Sequence, residues 1–374
     1  MKKIAFYAPI KPPDHPIPSG DRLIARNLIS ALTIAGFEVE LVSRFIAYSK
    51  REAEEILIQR KSNALVEAQK IIASLKNSPP DIWITYHPYC KAPDWLGPLV
   101  SKALSIPYVT IEAVRTGQGF EDGGDRWAKW RAEAQAGIRS ASLHLAFKST
   151  DRAYLTELLG TDNTIKDIPP FIDTTPPINL PSPSRPANWN PITPVLVTTG
   201  MMRPGKKVKN FEILAEALTP LQDLDWNLTL IGGGPEEPAV KKFFAHFDQS
   251  RLNFTGAIPH DEVLAHMETA DIFTWPGWKE PIGMVYLEAQ MMGLPVAALN
   301  SMGVPLTVYH ERTGLLAEEN NMLHFTVNLE TLITDKSRRQ QLGAAAHESV
   351  NRHHSLIAAS SQLKEILNNL LASN

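Results

Sequence analysis

Two glutamates, Glu280 and Glu288, stand eight positions apart in the stretch WPGWKEPIGMVYLEAQMMGLPVAA (275–298), and two cations, Arg203 and Lys209, stand six apart in TGMMRPGKKVKN (199–210). Carboxylates at such a spacing can accept hydrogen bonds from vicinal hydroxyls of a polyol, and fixed cations can hold a phosphate. A strand ends near Trp275, a loop runs from Gly277 to Gly283, and a helix opens near Met284, with Met284, Leu287 and Met291 as its apolar stripe and Gly293 as its stop. Were that helix continued back to Glu280, the two carboxylates would differ by about 80° around its axis, so both can face one site. Between them, Gly283, Met284 and Val285 offer backbone N–H groups at a helix N-terminus, where an anion is stabilised by unsatisfied donors and by the dipole. In the basic stretch a strand runs into Gly200, then Arg203, then a lysine that opens a helix. Arg203 can grip phosphate with two parallel bonds while Lys209 acts as a point charge; Lys206 and Lys207 leave the choice of second cation open.

Alternating strands and helices must carry these groups. Lys3–Ala8, Glu38–Ser43, Asp81–Tyr86, Tyr108–Glu112 and Leu143–Phe147 read as strands of the first half, with helices over Gly20–Ala35 and Lys50–Lys76. Residues 169–194 hold nine of the 29 prolines and little apolar periodicity, which predicts an extended linker. The pattern then restarts: strands over Val195–Thr199, Asn227–Ile231, Leu252–Thr255, Ile272–Trp275 and Val296–Leu299, with helices over Asn210–Leu218 and Pro238–Phe247 and three more towards the C-terminus. Alternation of this kind implies parallel sheets covered on both faces. The expected architecture is α/β: a doubly wound domain over 1–175, a Pro-rich linker over 176–194 and a second doubly wound domain over 195–354. A helix over 355–374 packs back on the first domain. Such sheets bind ligands at the carboxyl ends of their strands. Two of them facing each other favour group transfer between two substrates.

Composition narrows the function further. At 374 residues, 44% hydrophobic and 21% charged with a formal net charge of −3, the chain reads as an ordinary globular protein with no general excess of Lys and Arg for tracking nucleic acid. The single cysteine, Cys90, excludes an internal disulfide and fits a reducing cytosol. The apolar run Ile4–Ile10 is short and lacks a cleavage pattern, so it reads as a buried strand and not as a signal peptide; no stretch approaches the ~20 apolar residues of a membrane span. Lys50–Lys76 mixes basic residues with Ala, Ile and Leu, leaving open a solvated helix or one lying on an anionic membrane. The acidic loop Glu121–Asp125 reads as a solvated turn, and no histidine spacing fits a zinc site.

Glu280-Pro-Ile-Gly followed by Tyr286-Leu-Glu288-Ala, with Gly293-Leu-Pro in register, resembles the paired-glutamate signature of the retaining glycosyltransferases of family 4 (glycosyl transferases group 1), which have the GT-B fold. The resemblance implies two Rossmann-like domains with an interdomain cleft. It places Glu280 near the transferred sugar and Glu288 on the ribose hydroxyls. Gly200, Arg203 and Lys209 are similar to the family's Gly-Arg … Lys element, which clamps the donor diphosphate without a metal. Ile231–Pro235 resembles its strand-to-Gly-Pro turn, and Phe254–Pro259, with Ile258, the element against the nucleobase. Asn300–Leu316 resembles its Gly-Gly-x-Pro-Glu … Gly-Leu stretch, with Met302 for the first Gly and Leu306 for the Glu. In the first half, Pro18–Asp21, with Gly20, resembles the Gly-rich loop beside the donor phosphates, Asp81–His87 an Asp … His strand end, and Phe171–Asp173 a structural hydrophobic-x-Asp. Glu112 stands where many members have a histidine near the reacting sugar; it serves the acceptor site or is a buried carboxylate with a structural partner. The resemblance is strong over 195–320 and looser but collinear over 1–175.

The function this implies is a metal-independent retaining hexosyltransferase (EC 2.4) with no cofactor. It would move a sugar from a UDP-, GDP- or ADP-sugar to a glycan, lipid or small-molecule acceptor, as in surface polysaccharide biosynthesis. Catalysis would fall to Glu280 and Glu112. Donor binding would fall to Gly20, Gly200, Arg203, Lys209, Ile258, Gly283, Met284, Val285 and Glu288, with the acceptor over the first domain. The expected setting is cytoplasmic, with peripheral contact at the inner membrane face left open. The alternatives are a degenerate GT-B partner subunit and a GT-B phosphorylase or epimerase.

Overall fold

The computed structural model describes residues 1–17, 19–114, 126–175, 180 and 185–373. The chain forms two units: Met1–Pro169 with Leu356–Asn374, and Pro170–Ser355. In the first, β1 (Lys2–Tyr7), β2 (Phe37–Leu41), β3 (Ile82–Tyr86), β4 (Tyr108–Ile111), β5 (Leu143–Ala146) and β6 (Ile165–Asp167) make a six-stranded sheet in the order β2-β1-β3-β4-β5-β6. Every pairing is parallel. The crossovers are α1 (Gly20–Ile34), α2 (Glu54–Leu75), α3 (Leu96–Leu104), α4 (Ala128–Arg139) and α5 (Ser149–Leu159). β3, IWITY, is buried at all five positions, as a central parallel strand must be. α1 starts where it does because the Ser19 side chain accepts from the Arg22 amide, and it holds on through Leu28 and Leu32, both wholly buried. Each such leucine stabilises the unit by about 1.5–3 kcal/mol. The last helix, α12 (Leu356–Ser373), belongs to this unit and packs on α1.

The second unit repeats the plan with β7 (Val195–Thr199), β8 (Asn227–Ile231), β9 (Leu252–Gly256), β10 (Ile272–Thr274), β11 (Val296–Asn300) and β12 (Gly314–Glu318), ordered β12-β11-β10-β7-β8-β9. Its helices are α6 (Lys206–Leu218), α7 (Glu237–Phe243), α8 (His260–Glu268), α9 (Met284–Met291), α10 (Met322–Thr334) and α11 (Lys336–His353). Strand order reverses at β1/β3 in the first sheet and at β7/β10 in the second. These reversals open the crevices in which parallel sheets take ligands.

Two local expectations change. The first unit ends at Pro169: the segment after it is tied into the second unit by Ile172 N–H donating to His354 O (2.8 Å) and His354 Nδ1–H donating to Pro170 O (2.7 Å). The end of the Pro-rich stretch is docked and not a free linker, since Trp189 is buried and its Nε1–H donates to Ser250 O at 2.9 Å. α2 buries Leu57, Ala64, Ala68 and Ile71 and leaves Ile58, Leu65 and Val66 exposed. No helix among the described residues is long and apolar enough to cross a membrane.

Candidate active site

In the second unit the loops leaving β7 and β10 flank the strand-order reversal, and they bring the basic stretch to the first glutamate. Gly205, at φ +92°, opens α6 at Lys206, four residues earlier than apolar spacing predicts. This winds Lys207 and Lys209 into the first turn, about 200° apart around the axis. Lys207 Nζ lies 2.8 Å from Glu280 Oε2 and 5.3 Å from the centre of the Trp275 ring. Trp275 Nε1–H also donates to Glu280 Oε2, at 3.3 Å. Lys209, expected as the second cation, instead turns along the helix to Glu212 at 2.8 Å. The geometry therefore joins Lys207, not Lys209, to Glu280. Arg203 lies exposed in the β7–α6 loop.

The Glu280 loop is held by backbone and buried polar contacts. Asn210, 1% exposed on α6, accepts from Trp278 N–H at 2.7 Å and donates to Trp278 O at 3.2 Å. Glu280 O accepts from Gly303 N–H at 3.0 Å, and the Tyr286 hydroxyl donates to Trp275 O at 2.9 Å. Gly283 caps α9 with φ +77°, and a Cβ there would stand 2.4 Å from the Tyr286 ring, so glycine is required. Glu280 is thus off the α9 axis. The Met284 and Val285 amides begin the helix as donors without intrahelical partners. Gly200 sits against Trp275, with its N–H bonded to Ile231 O at 3.0 Å.

Glu288 lies inside α9, its side chain 14% exposed, with His260 Nε2 of α8 at 3.8 Å from Oε1. Burial pushes its carboxyl above the usual range, and the neighbouring His260 opposes this. Ile258, half-buried after Gly256 (φ +72°), packs on the core of the unit just before α8.

In the first unit a second cluster gathers at strand ends. Gly20 and Asp21 open α1 after β1, His87 follows β3, Glu112 follows β4, and Lys148 and Asp151 follow β5. His87 and Glu112 both adopt left-handed backbone, φ +60° and +55°, costly for residues with a Cβ and typical of functional strand ends. His87 Nδ1 is 3.0 Å from Asp21 Oδ1. The Glu112 side chain is 4% exposed; Lys148 Nζ stands 3.3 Å from its Oε1, while its Oε2 and the buried Tyr86 hydroxyl have no hydrogen-bond partner. Burial alone would lower the His87 pKa, but Glu112 and Asp21 outweigh it and raise it. Lys148, likewise disfavoured by burial, is kept charged by Glu112 and Asp151. Glu112 therefore has a buried cationic partner and, through Oε2, an unfilled acceptor.

Asp151 in this cluster carries a pH test. Burial raises its pKa from 3.8 to about 6, against the pull of Lys148. Ionised Asp151 is thus disfavoured in the fold: its contribution to stability is full below the unfolded pKa and is lost as pH rises through about 6. Relative to Asp151→Asn, the wild type should lose roughly 2 kcal/mol of unfolding free energy between pH 4 and pH 7.5 in urea titrations. A constant difference across that range would refute the assignment.

Sequence reasoning missed Trp275, Asn210, His260 and Lys148 as site residues; it left Lys207 open as the second cation and read Asp21 and His87 only as parts of the Pro18–Asp21 and Asp81–His87 segments. Glycine before a lysine run was the signal for an early α6. The acidic loop Glu121–Asp125 and Pro18 lie outside the described residues.

Residues 193–335, which hold Gly200, Arg203, Lys207, Glu280 and Glu288, match the family described as Glycosyl transferases group 1. That match lies wholly within the second unit. The chain is 36% identical over 132 residues to the GDP-mannose-dependent alpha-(1-6)-phosphatidylinositol monomannoside mannosyltransferase of Mycobacterium tuberculosis, covering 33% of this chain and 34% of that protein. It is 32% identical over 189 residues to the D-inositol 3-phosphate glycosyltransferase of Corynebacterium glutamicum, covering 48% and 44%. The matches thus span a third to under a half of these relatives. Over the whole chain the structure resembles the sucrose-phosphate synthase of Thermosynechococcus elongatus (TM-score 0.70, 19% identity, 100% of both chains). It also resembles Anabaena HepE in complex with UDP (TM-score 0.69, 17% identity, 99% and 100%). The fold is GT-B. Within the matched residues, Lys207 of the basic stretch and Glu280 of the paired-glutamate stretch meet at the β7/β10 reversal.

Proposed function

We propose that the protein is a retaining glycosyltransferase that moves a sugar from a nucleotide-sugar donor to a hydroxyl of a glycan, lipid or small-molecule acceptor. The observation that carries this reading is the joining of Glu280, Lys207 and the α9 N-terminus at the strand-order reversal of the second unit, with Glu288 buried one turn further along the same helix. The donor diphosphate would lie against Arg203, Lys207 and the Met284 and Val285 amides, whose charges and dipoles oppose the negative charge that builds on the leaving group. Glu280 would orient the donor sugar, and Glu288 would accept bonds from the ribose diol. The sugar C1–O(phosphate) bond breaks as the C1–O(acceptor) bond forms on the same face, and the acceptor proton passes to the departing phosphate oxygen. Fixed cations do the work a metal would do, and Glu112 belongs to the acceptor side. The relatives act on inositol-bearing molecules by their names, which supports a polyol acceptor here. The setting we assign is the cytoplasm, where contact with a membrane would be peripheral.

Titration calorimetry with UDP, GDP and ADP tests the donor site. One nucleotide should bind clearly better than the other two, and Glu288→Ala should weaken it ~10–100-fold, the equivalent of one or two charge-assisted bonds. Because burial, not a structural partner, raises the Glu288 carboxyl, Glu288→Gln should lose nucleotide affinity without lowering the Tm of the free protein at pH 7. Binding of none of the three nucleotides would sink the transferase reading.

A further inference from the structure

At the site of the second unit, charged side chains follow β7 (Arg203, Lys206, Lys207) and β10 (Lys279, Glu280). β11 lies next to β10, on the side away from β7, and the stretch after it, residues 301–308 (SMGVPLTV), carries no charged residue. Neighbouring strands end about 4.8 Å apart, so this loop is the next wall along the same sheet edge. It is tied to the Glu280 loop at three points. Leu299 N–H donates to Pro276 O at 2.8 Å, Lys279 N–H to Ser301 Oγ at 3.0 Å, and Gly303 N–H to Glu280 O at 3.0 Å. The approach is close enough that a Cβ at Gly303 would collide with the Pro281 carbonyl.

Between Ser301 and Gly303 stands Met302, its side chain 58% exposed and its backbone left-handed at φ +44°. Neither feature serves the fold. An exposed thioether gains little from burial, and a Cβ makes that backbone costly where glycine would be unstrained. Strain of this kind gathers at ligand sites. The polar neighbours are engaged elsewhere: Asn300 Nδ2–H donates to Glu318 Oε1 at 3.0 Å, and Ser301 Oγ holds the Lys279 amide. What the loop offers is a polarisable thioether, with Leu306 half-buried behind it.

We propose that Met302 is a specificity-determining residue of the donor site and that the sugar it selects is a 6-deoxyhexose, whose C6 methyl lies on the thioether. This rests on the transferase reading above, in which Glu280 orients the donor sugar. A 6-deoxyhexose joins ring hydroxyls to a single methyl group, which matches a site charged on the β7 and β10 sides and apolar on the β11 side. A C6 hydroxyl against the thioether would lose water without gaining a partner. An N-acetyl group would bring an amide N–H and C=O with the same defect.

The test is calorimetry with sugar conjugates of whichever nucleotide binds. Its glucose, mannose and galactose conjugates are each paired with their 6-deoxy counterparts, and the N-acetylglucosamine conjugate is added. At least one 6-deoxy conjugate should bind about tenfold tighter than its hydroxylated twin, and tighter than the N-acetyl conjugate; tenfold is the low end of what contact with one small group yields. Met302→Gly should bring that pair within about twofold while leaving affinity for the bare nucleotide unchanged. Met302→Gln, which offers an amide to a hydroxyl, should favour the hydroxylated twin. Because glycine relieves the left-handed backbone, Met302→Gly should not lower the Tm. The absence of any pair that differs, a hydroxylated or N-acetyl conjugate as the tightest ligand, or a preference that survives Met302→Gly overturns the proposal. So does a clear fall in Tm, which would make Met302 a structural residue, or weakened binding of the bare nucleotide, which would place it on the nucleotide. Nucleotide binding without a 6-deoxy preference defeats this proposal alone; binding of no nucleotide defeats the transferase reading and this one with it.

Discussion

Replacing Lys207 with alanine should lower kcat/KM for sugar transfer at least ~100-fold, whereas Lys209→Ala should cost less than ~10-fold. Removing one preorganised group facing the developing charge typically costs ~2.7–4 kcal/mol, or 10²–10³ in rate. Lys207 is the lysine so placed: its ammonium is 2.8 Å from Glu280 and close to the Trp275 ring, a position fixed by the early start of α6 at Gly205. Lys209 spends its charge on Glu212, an i, i+3 partner on its own helix, with both side chains substantially exposed. Exposed pairs of that kind are worth ~0–1 kcal/mol. Glu280→Gln should match Lys207→Ala within about tenfold, and the double variant should lose much less than the product of the two, because the pair acts as one unit. The measurement is transfer from the nucleotide-sugar whose nucleotide binds in calorimetry. A larger loss from Lys209→Ala than from Lys207→Ala would restore the spacing-based assignment and show that the lysines rearrange around the donor.

That contrast marks where reading the chain reaches its limit. Strand–helix alternation and the Gly-Leu-Pro stop made the strands from β7 to β11 legible, because apolar periodicity reports which face is buried, although α8 between β9 and β10 went unread. The paired glutamates were legible too, since Gly283 and the apolar stripe after it bracket the start of α9. The choice among Lys206, Lys207 and Lys209 was not. It depends on helix phase, and phase was set by Gly205 at φ +92°, a conformation that residue type permits but does not announce. β12 went unread because Gly314–Glu318 pairs with β11 only through contacts set by the sheet. In the first unit, Glu112 was singled out as a departure, but its neighbours were not. Lys148 lies 36 positions away and reaches it only because β5 lies next to β4. Long-range ion pairs of this sort follow from topology, which local spacing does not encode. The same applies to Asp21 and His87, 66 positions apart and joined across the β1/β3 reversal.

The glycines of the second unit set the largest stability effect. Gly232→Ala should leave little soluble folded protein, or cost ~3 kcal/mol or more where folding survives. A Cβ at Gly232 would stand 2.0 Å from Gly200 O, backbone that has no rotamer to yield, and the residue sits at φ +136°, which side chains rarely adopt. Either fault alone is costly; together they fall where the β7 and β8 exit loops are laced by Gly200 N–H to Ile231 O, Met202 N–H to Gly233 O and Glu236 N–H to Met202 O. Any relief requires the β7–α6 loop to retreat, and that loop carries Arg203 and sets the start of the helix that bears Lys207. Gly256→Ala is the control, since its φ is also positive at +72° but a Cβ there would meet nothing within 4 Å. Its cost should stay near the ~1–2 kcal/mol of left-handed backbone alone. Thermal unfolding of both variants decides the matter. Similar Tm losses would mean that conformational strain is the whole effect and that the two loops are not in obligatory contact. A much larger loss at Gly232 would show that the β7–α6 loop owes its position to a backbone approach only glycine allows.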